Sequence, residues 1–341
     1  MLINGTLYSQ CGQVSINILL ITPYNMEAYG GVQNQVNTIN SFLNEHDQFT
    51  SKIAAPNSED FNIGNTINIP FNGSISPVCL IPLKHKLTEA INWADVVHIH
   101  EPFVPLIFWK LPKNIKYIFT HHASLNNFLT FLLSILYTFI RRNGISTYVS
   151  RLSKKNAVAL NREPHLIPNM FYLDNDVDFE LKKRFLFIGR DEKRKNLKLY
   201  KNYVQSFYDS QFKYSAITNT EIKNIHIDTF LNPNDDDKNK ILNDSDIYLA
   251  LNTRGESFGI TLIEAINSGN IVISSNIEAF KNLLGDSGVY FKNNSLTSLN
   301  DVIEVIKKED LYNMWLKQKK YINKYEISKN MEKLISLYLS I

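Results

Sequence analysis

Two glutamates, Glu256 and Glu264, are separated by seven residues in the most informative stretch of the chain. From Ile260 onward, apolar residues recur at helical spacing, which predicts a helix that begins near Ser257 or Phe258. The first amides of a helix lack intrahelical partners and bind anions, and carboxylates accept hydrogen bonds from hydroxyl groups. The stretch therefore predicts a site for a ligand that carries phosphates between hydroxyl groups, as a nucleotide sugar does.

The backbone of this junction would supply hydrogen-bond donors for the phosphates. These donors are the amides of Phe258, Gly259 and Ile260, and a glycine lets a ligand approach the main chain closely. The structural alternative is that Glu256 balances the helix dipole and Glu264 is a solvated helix residue. Residue types alone favour the two interpretations equally.

Buried strands are predicted on both sides of this helix. The apolar run Ile247–Leu251 precedes the loop that carries the first glutamate. Gly269 would end the helix, and the run Ile271–Ile273 follows it. The unit is therefore a strand, a loop, a helix and a strand, as in α/β proteins.

A second unit of this kind is predicted near the N-terminus. Ser15–Pro23 has the apolar pattern of a buried strand, Tyr29, Gly30 and Gly31 form a loop, and Val32–Leu43 has a helical pattern. Ligands bind at such strand ends in open α/β sheets. The loop lacks the full G-x-G-x-x-G pattern of a dinucleotide site, so an anion site of another kind is predicted.

The string GESFGITLIEAINSGNIVISS resembles the signature of the retaining glycosyltransferases of family 4, which have the GT-B fold. The resemblance implies an α/β protein with two Rossmann-like, doubly wound domains that face a central cleft. It implies that Glu256 holds sugar hydroxyls and Glu264 the ribose of a nucleotide sugar, with Ser257 beside them. TPYNMEAYGGVQNQV is similar to the opening of the same family, in which the loop corresponding to Gly30 and Gly31 lies against the donor diphosphate.

A basic run follows the predicted strand Arg184–Gly189. Arg190 and Lys195 match the diphosphate clamp of the family, G-R-x-x-x-x-K-G, and Asn196 stands in place of its last glycine. Arginine can grip phosphate oxygens with two parallel hydrogen bonds, whereas lysine acts as a point charge. The resemblance implies that the two cations stabilise a leaving diphosphate. The alternative for such a run is a solvated surface.

Histidines follow two further predicted strands. DVVHIHEP resembles a characteristic strand of the family, and His98 and His100 alternate onto one of its faces. A metal pair there is disfavoured, because Glu101 is the only plausible third ligand nearby. The next strand ends at His121 and His122, and the family pattern T-F-H-T places its active-site histidine at His122.

The acceptor is predicted to bind the N-terminal half. Pro, Asn and Gly residues in Ile67–Val78 predict a loop with turns. The segment is similar to I-P-Y-N-G-S of the phosphatidylinositol mannosyltransferases, a subgroup of the family, in which it contributes to the acceptor site. The resemblance implies acceptor contacts by Asn72 and Ser74, and we place Glu101 with them.

Three consecutive aspartates, Asp235, Asp236 and Asp237, invite a metal interpretation, because other glycosyltransferases hold a divalent cation on spaced aspartates. The run follows Asn234 and precedes a helical pattern, so we interpret it as a helix N-cap and first turn. The resemblance implies metal-independent chemistry, and we expect neither a metal nor a cofactor.

The composition is that of a globular protein, with 341 residues, 44% hydrophobic and 20% charged. A net charge of +3 gives no indication of nucleic-acid binding, and two cysteines suit a reducing cytoplasm. No apolar run reaches the roughly 18 residues that span a bilayer. Phe128–Ile140, followed by Arg141 and Arg142, predicts a buried helix, and the alternative is an interfacial helix on anionic lipid.

We expect a leader at residues 1–13, an acceptor domain at 14–174, a nucleotide-sugar domain at 181–320 and a helix at 321–341 that packs on the first domain. The predicted activity is retaining transfer of a hexose, with mannose as a candidate, from a GDP- or UDP-sugar to a lipid-linked or glycan acceptor. The alternatives are an inactive binding subunit and a nucleotide-sugar epimerase of the same architecture. The expected location is the cytoplasm, with peripheral association with the inner face of the cell membrane as a further expectation.

Overall fold

The structure is a computed structural model that describes residues 15–28, 30–71, 74–103, 109–123, 125–139, 142–160 and 163–341. The predicted leader lies outside these residues. The strands are β1 (Ile16–Ile21), β2 (Phe49–Ala55), β3 (Phe61–Asn62), β4 (Ile67–Phe71), β5 (Ser74–Val78), β6 (Val96–His100), β7 (Lys116–His121), β8 (Asn143–Tyr148), β9 (His165–Leu166), β10 (Arg184–Ile188), β11 (Lys213–Thr218), β12 (Asp228–Leu231), β13 (Ile247–Ala250), β14 (Ile271–Ser275) and β15 (Val289–Phe291).

The α-helices of the described residues cover the faces of the sheets or follow them. They are α1 (Gly31–Asn44), α2 (Lys84–Trp93), α3 (Asn127–Phe139), α4 (Lys154–Leu160), α5 (Leu197–Phe207), α6 (Asp235–Asn243), α7 (Ile260–Asn267), α8 (Glu278–Leu284), α9 (Leu296–Ile306), α10 (Leu311–Ile322) and α11 (Ile327–Tyr338).

Two parallel sheets form the two halves of the molecule. The order is β3-β2-β1-β6-β7-β8-β9 in the first and β12-β11-β10-β13-β14-β15 in the second. Strand order reverses between β1 and β6, and again between β10 and β13. Open α/β sheets bind ligands at such switch points, beyond the carboxyl ends of the strands. The ends of these four strands therefore mark where a ligand site is expected.

The central strands are buried because helices cover both faces of each sheet. Leu19 and Leu20 of β1 point to opposite faces, and each is fully buried in a different apolar cluster. The same arrangement holds for Tyr248 and Leu249 of β13. These two strands are consequently fixed at the centres of their sheets, and the loops after them start from rigid positions.

The last helix, α11, belongs to the N-terminal half. Its buried apolar residues recur at helical spacing and pack with β1 and α1; they are Ile327, Met331, Leu334 and Tyr338. The chain reaches this position through a short parallel bridge, in which the Phe171 amide donates to the Tyr325 carbonyl and the Ile327 amide donates to the Phe171 carbonyl. The two crossings between the halves therefore lie side by side.

The segment Ile67–Val78 is a β-hairpin, so its prediction as a loop is wrong. β4 and β5 pair antiparallel, from Ile67 opposite Val78 to Phe71 opposite Ser74. A two-residue Asn-Gly connection is a strong hairpin signal, and a proline is tolerated in a strand without a second neighbour. Asn72 lies outside the described residues, and the side chain of Ser74 is likewise outside them.

The helix predicted at Phe128–Ile140 forms as α3, but its interpretation as a buried helix is wrong. Of its described side chains, that of Tyr137 alone is fully buried, whereas Phe131 is 61% and Phe139 80% exposed. The sequence is apolar almost all round, which is the pattern of a buried helix, so exposure could not be predicted from it. None of the described helices combines the length and the hydropathy that a membrane crossing requires.

Candidate functional site

Helix α7 begins at Ile260, about one half-turn later than the sequence predicts. Gly259 has a φ of 102°, in the left-handed region, so it precedes the helix as its N-cap. The first amides of the helix are therefore those of Ile260 and Thr261. The Leu262 amide already donates to the Gly259 carbonyl. The side chain of Phe258 is buried against Phe171 and Tyr325, which anchors the loop to the C-terminal core.

Lys195 and Glu256 meet at the switch point of the second sheet. The Lys195 Nζ lies 3.2 Å from the Glu256 Oε2, and the Asn252 amide donates to the same oxygen at 2.9 Å. Arg190 is half exposed, and its guanidinium lies 3.7 Å from the nearest Glu192 oxygen. The loops after β10 and β13 thus join Lys195 to Glu256, and the half-exposed Arg190 lies on the same loop as Lys195.

Asn196 stands where the family clamp has its last glycine, and its backbone explains why this is tolerated. Its φ is 63°, in the left-handed region that glycine adopts freely. Asparagine enters this region more readily than other residues with a β-carbon. The turn before α5 is therefore kept without the glycine.

Glu264 is held by a lysine that the sequence does not single out. The Lys238 Nζ lies 3.3 Å from the Glu264 Oε1 and 3.4 Å from Asp235, and Lys238 is only 9% exposed. The other oxygen of Glu264 is buried and has no partner among the described residues. In the sequence, only the Asp235–Lys238 contact is indicated, because residues three apart are neighbours on a helix. The Lys238–Glu264 contact has no such local pattern.

The aspartate run begins α6, and its interpretation as a helix start is confirmed. The Asn234 side chain accepts a hydrogen bond from the Asp237 amide, and Asp235 to Asp237 form the first turn. Across the described ranges, no group of three His, Cys, Asp or Glu side chains could hold a metal ion.

A cavity of about 400 Å³ lies between the two halves of the molecule. Gly30 and Gln33 line it from the N-terminal half, and Lys238 and Glu264 line it from the C-terminal half. A β-carbon on Gly31 would lie 2.9 Å from the Ile260 side chain. Gly31, predicted as a loop residue, is the first residue of α1, so the starts of α1 and α7 face each other across the cleft.

His122 follows the carboxyl end of β7, and Glu101 organises its backbone. The Glu101 Oε1 accepts hydrogen bonds from the amides of His122 and Ala123. Glu101 has a φ of 56°, which is rare for a residue with a β-carbon. Burial raises the pKa of Glu101 to about 7, against the opposing effect of the two hydrogen bonds.

Three buried histidines form a neutral cluster beside this loop. Burial lowers the pKa of His98 and of His122 to about 3 and holds the pKa of His100 well below its ordinary value. The His100 Nδ1 lies 2.9 Å from the His122 Nε2, and the rings of His98 and His100 are 4.2 Å apart. His122 is therefore held by a second neutral imidazole.

A hydrogen-bond chain joins this cluster to α11. The hydroxyls of Thr120 and Thr147 are hydrogen-bonded at 2.6 Å. The His98 Nε2 lies 2.7 Å from the Thr120 hydroxyl, and the His98 Nδ1 lies 2.8 Å from the Tyr338 hydroxyl. No sequence pattern indicated that Tyr338, 240 residues from His98, would take part.

His121 and His122 have different environments. His121 is fully buried and packs on the Phe103 ring, and within the described residues neither of its ring nitrogens has a hydrogen-bond partner. His122 is bonded to His100 and is 6% exposed. His121 is thus a core residue that occupies the position where the family pattern has an aromatic side chain.

Known proteins resemble this chain over most of its length. Residues 176–326 match the family model described as Glycosyl transferases group 1. The phosphatidyl-myo-inositol mannosyltransferase of Mycobacterium leprae is 29% identical over 318 residues, which cover 80% of this chain and 82% of that protein. The protein of the same name from Propionibacterium freudenreichii is 28% identical over 308 residues, or 78% of this chain and 79% of that protein.

Solved structures share the architecture. A glycosyltransferase of Rickettsia africae matches with a TM-score of 0.71 at 16% identity, over 95% of this chain and 98% of that one. Anabaena HepE, solved in complex with UDP-glucose, matches with a TM-score of 0.71 at 12% identity, over 96% of this chain and 100% of that one. The chain therefore has the GT-B fold, and its residues 176–326 match the Glycosyl transferases group 1 family.

Proposed function

We propose that this glycosyltransferase moves a hexose from a nucleoside-diphosphate sugar to an acceptor hydroxyl with retention of configuration and without a metal. The observation that carries the proposal is the Lys195–Glu256 pair, with the half-exposed Arg190 on the same loop after β10. It joins two cations suited to a diphosphate with a carboxylate suited to sugar hydroxyls. The pair lies at the switch point where a ligand is expected.

The diphosphate would lie between the two halves. Arg190 and Lys195 would neutralise charge that develops on the leaving group, and the first amides of α7 and the Gly31 loop would face its oxygens. Fixed cations placed where negative charge develops supply the role that a bound cation has in other phosphate chemistry. This is the basis for proposing a metal-independent reaction.

The nucleoside would occupy the 400 Å³ cavity between the halves. The Glu264 Oε2 is buried and accepts no hydrogen bond within the described residues. Buried acceptors are usually hydrogen-bonded, and a ribose hydroxyl would donate to this oxygen. Lys238 holds the other oxygen and orients the carboxylate. Lys238 is therefore a positioning residue for Glu264.

Transfer would proceed on one face of the sugar. The acceptor oxygen attacks the anomeric carbon as the bond from that carbon to the phosphate oxygen breaks, and the departing diphosphate takes the acceptor's proton. Glu256 would hold sugar hydroxyls, and His122 would fix the sugar beside the anomeric carbon. Because the His122 environment keeps its imidazole neutral, we assign it positioning and not proton transfer at neutral pH.

The acceptor is proposed to be a lipid head group, with mannose as the transferred hexose. The support is the likeness to proteins named phosphatidyl-myo-inositol mannosyltransferase over about four-fifths of the chain. The hairpin Ile67–Val78, with Asn72 and Ser74, and the Glu101 loop are the proposed acceptor contacts. These loops lie in the N-terminal half, opposite the diphosphate residues.

The test is thermal unfolding with GDP-, UDP- and ADP-sugars, each with EDTA and with magnesium. We expect one nucleotide class to raise the melting temperature equally in both conditions. Arg190→Ala should abolish the rise, and Lys193→Ala, an exposed cation in the same run, should keep it. No rise with any nucleotide sugar would overturn the proposal, and a rise that requires magnesium would overturn its metal-independent part.

A further inference from the structure

One face of α3 is an exposed apolar stripe. Positions i, i+3, i+4, i+7 and i+11 lie on one side of a helix, and all five such positions carry large apolar side chains. They are Phe128 (71% exposed), Phe131 (61%), Leu132 (45%), Ile135 (44%) and Phe139 (80%). The opposite face packs on the sheet through Tyr137 and Leu133. Exposed apolar patches of this kind mark interaction surfaces.

The polar groups of α3 are satisfied without water. The hydroxyls of Thr130, Ser134 and Thr138 donate to backbone carbonyls of Asn126, Phe131 and Ser134. Helix α3 contains no charged residue. Such internal pairing suits a helix that borders an apolar medium, where an unpaired hydroxyl is costly.

The charge around the stripe has one sign. Residues 102–162 contain no Asp or Glu, and they carry nine cations: Lys110, Lys113, Lys116, Arg141, Arg142, Arg151, Lys154, Lys155 and Arg162. The whole chain has a net charge of only +3, so positive charge is concentrated in this segment. Lys155 bonds to Asn127 at the start of α3, and Arg142 follows its end. Cations therefore flank the stripe at both ends.

Neighbouring loops extend the surface. Arg142 donates to the Trp109 carbonyl, and Lys110 donates to the Pro82 carbonyl. Trp109 is 47% exposed, and Ile81, beside Pro82, is 66% exposed. Apolar side chains and cations thus alternate from α3 across to the start of α2.

We propose that α3 and these loops dock on an anionic lipid bilayer, with the stripe among the acyl chains and the cations at the head groups. Apolar insertion and cation attraction are the two contributions that bind interfacial helices. The inference deepens the proposed function and rests on it for its purpose. Helix α3 follows the His122 loop by a few residues, so docking would bring a lipid acceptor to the cleft.

The test is flotation of the full chain with vesicles of phosphatidylcholine alone or mixed with phosphatidylglycerol. We expect binding to the mixed vesicles that falls with added salt, because screening shortens the reach of the cations. Phe131→Asp should lower the bound fraction about tenfold, since one buried Phe ring contributes a factor of this order. Lys154→Gln should lower binding to mixed vesicles about fivefold.

Two control variants lie in the other half of the molecule. Val305→Asp changes a side chain that is 58% exposed on α9, and Lys198→Gln removes an exposed cation from α5. Both should bind vesicles as the natural chain does. Thermal unfolding of every variant verifies that it is folded.

Three outcomes would overturn the inference. The first is that the natural chain does not bind mixed vesicles, and the second is that Phe131→Asp binds them equally well. The third is that the natural chain does not bind vesicles and is a dimer that Phe131→Asp converts to a monomer. The third outcome would assign the stripe to a second copy of the chain. Nucleotide-sugar shifts measured on the same samples separate the two proposals. Vesicle binding without a shift removes the proposed donor, and a shift without vesicle binding removes the docking surface.

Discussion

The two edges of the cleft are built from opposite kinds of polar group. The C-terminal edge has partly exposed ion pairs, Lys195 with Glu256 and Lys238 with Glu264, with side chains 11–21% exposed. The N-terminal edge has a wall of imidazoles that is at most 6% exposed and is kept neutral by burial.

The proposed function accounts for the difference by what each edge would bind. A diphosphate is recognised by charge, and cations stay charged where some water remains. A sugar ring is neutral, so the opposite edge needs fixed shape and hydrogen bonds. Burial supplies both, because closely packed side chains have few alternative positions. Removal of a charged side chain at the C-terminal edge should therefore lower activity. Protonation of the buried histidines at the N-terminal edge should lower stability.

The largest effect should come from Lys195→Ala at the charged edge. We expect kcat/KM for sugar transfer to fall about 10²–10³-fold, because one electrostatic contact to the leaving group is lost. Glu256 also loses its ionic partner. Lys198→Ala, an exposed lysine three residues away, should keep the natural rate. Steady-state kinetics on both variants checks this prediction. A folded Lys195→Ala protein with the natural rate would contradict the role of Lys195 at the leaving group.

Acid should destabilise the neutral edge. The folded-state pKa of each buried histidine is lowered, so the unfolded chain binds protons below pH 6.5 while the native chain does not. Stability is therefore present above that pH and lost below it, by about 2 kcal/mol for each histidine at pH 5. Glu101 opposes this, because its raised pKa contributes stability that is lost as pH rises through 7. Urea unfolding at pH 7 and pH 5 measures the net loss, and equal midpoints would contradict it.

His121→Phe should stabilise the protein by about 1–3 kcal/mol. Two buried nitrogens without described partners are replaced by carbon, which removes their desolvation cost. The Phe103 ring is kept as a neighbour, and acid sensitivity should decrease. His226→Phe is the matched control, because its ring is exposed and stacks on Tyr208. It should leave the stability and the acid sensitivity unchanged. Urea unfolding checks the pair, and a destabilised His121→Phe protein would show that His121 has a partner.

The smallest effect is expected at Asn196. Asn196→Ala should cost about 1 kcal/mol, because alanine resists the left-handed region, whereas Asn196→Gly should not pay this cost. Both variants lose the side-chain hydrogen bond to Asn294, so their difference isolates the backbone contribution. Thermal unfolding compares them, and equal melting temperatures would mean that the turn adapts to alanine.

Local patterns made the C-terminal edge predictable. Gly269 has a φ of 84° and ends α7 as expected, and the clamp spacing placed Arg190 and Lys195 after a buried strand. The start of α7 was misplaced because apolar periodicity does not reveal that Gly259 adopts a left-handed φ of 102° before the helix. In the N-terminal half, the hairpin at Ile67–Val78 was not predicted, because its Pro, Asn and Gly residues favour a loop and the pairing of β4 with β5 has no local signal.

The sequence by itself determined the fold class, the strands that lead to the site and the candidate residues Glu256, Glu264 and Lys195. These depend on periodicity and short motifs, which act within a few turns of chain. The tertiary structure alone decided that Lys238 holds Glu264, that Tyr338 reaches His98, and that one face of α3 is left uncovered. The physical reason is that burial and pairing between distant segments depend on where helices come to lie, and no local pattern specifies that position.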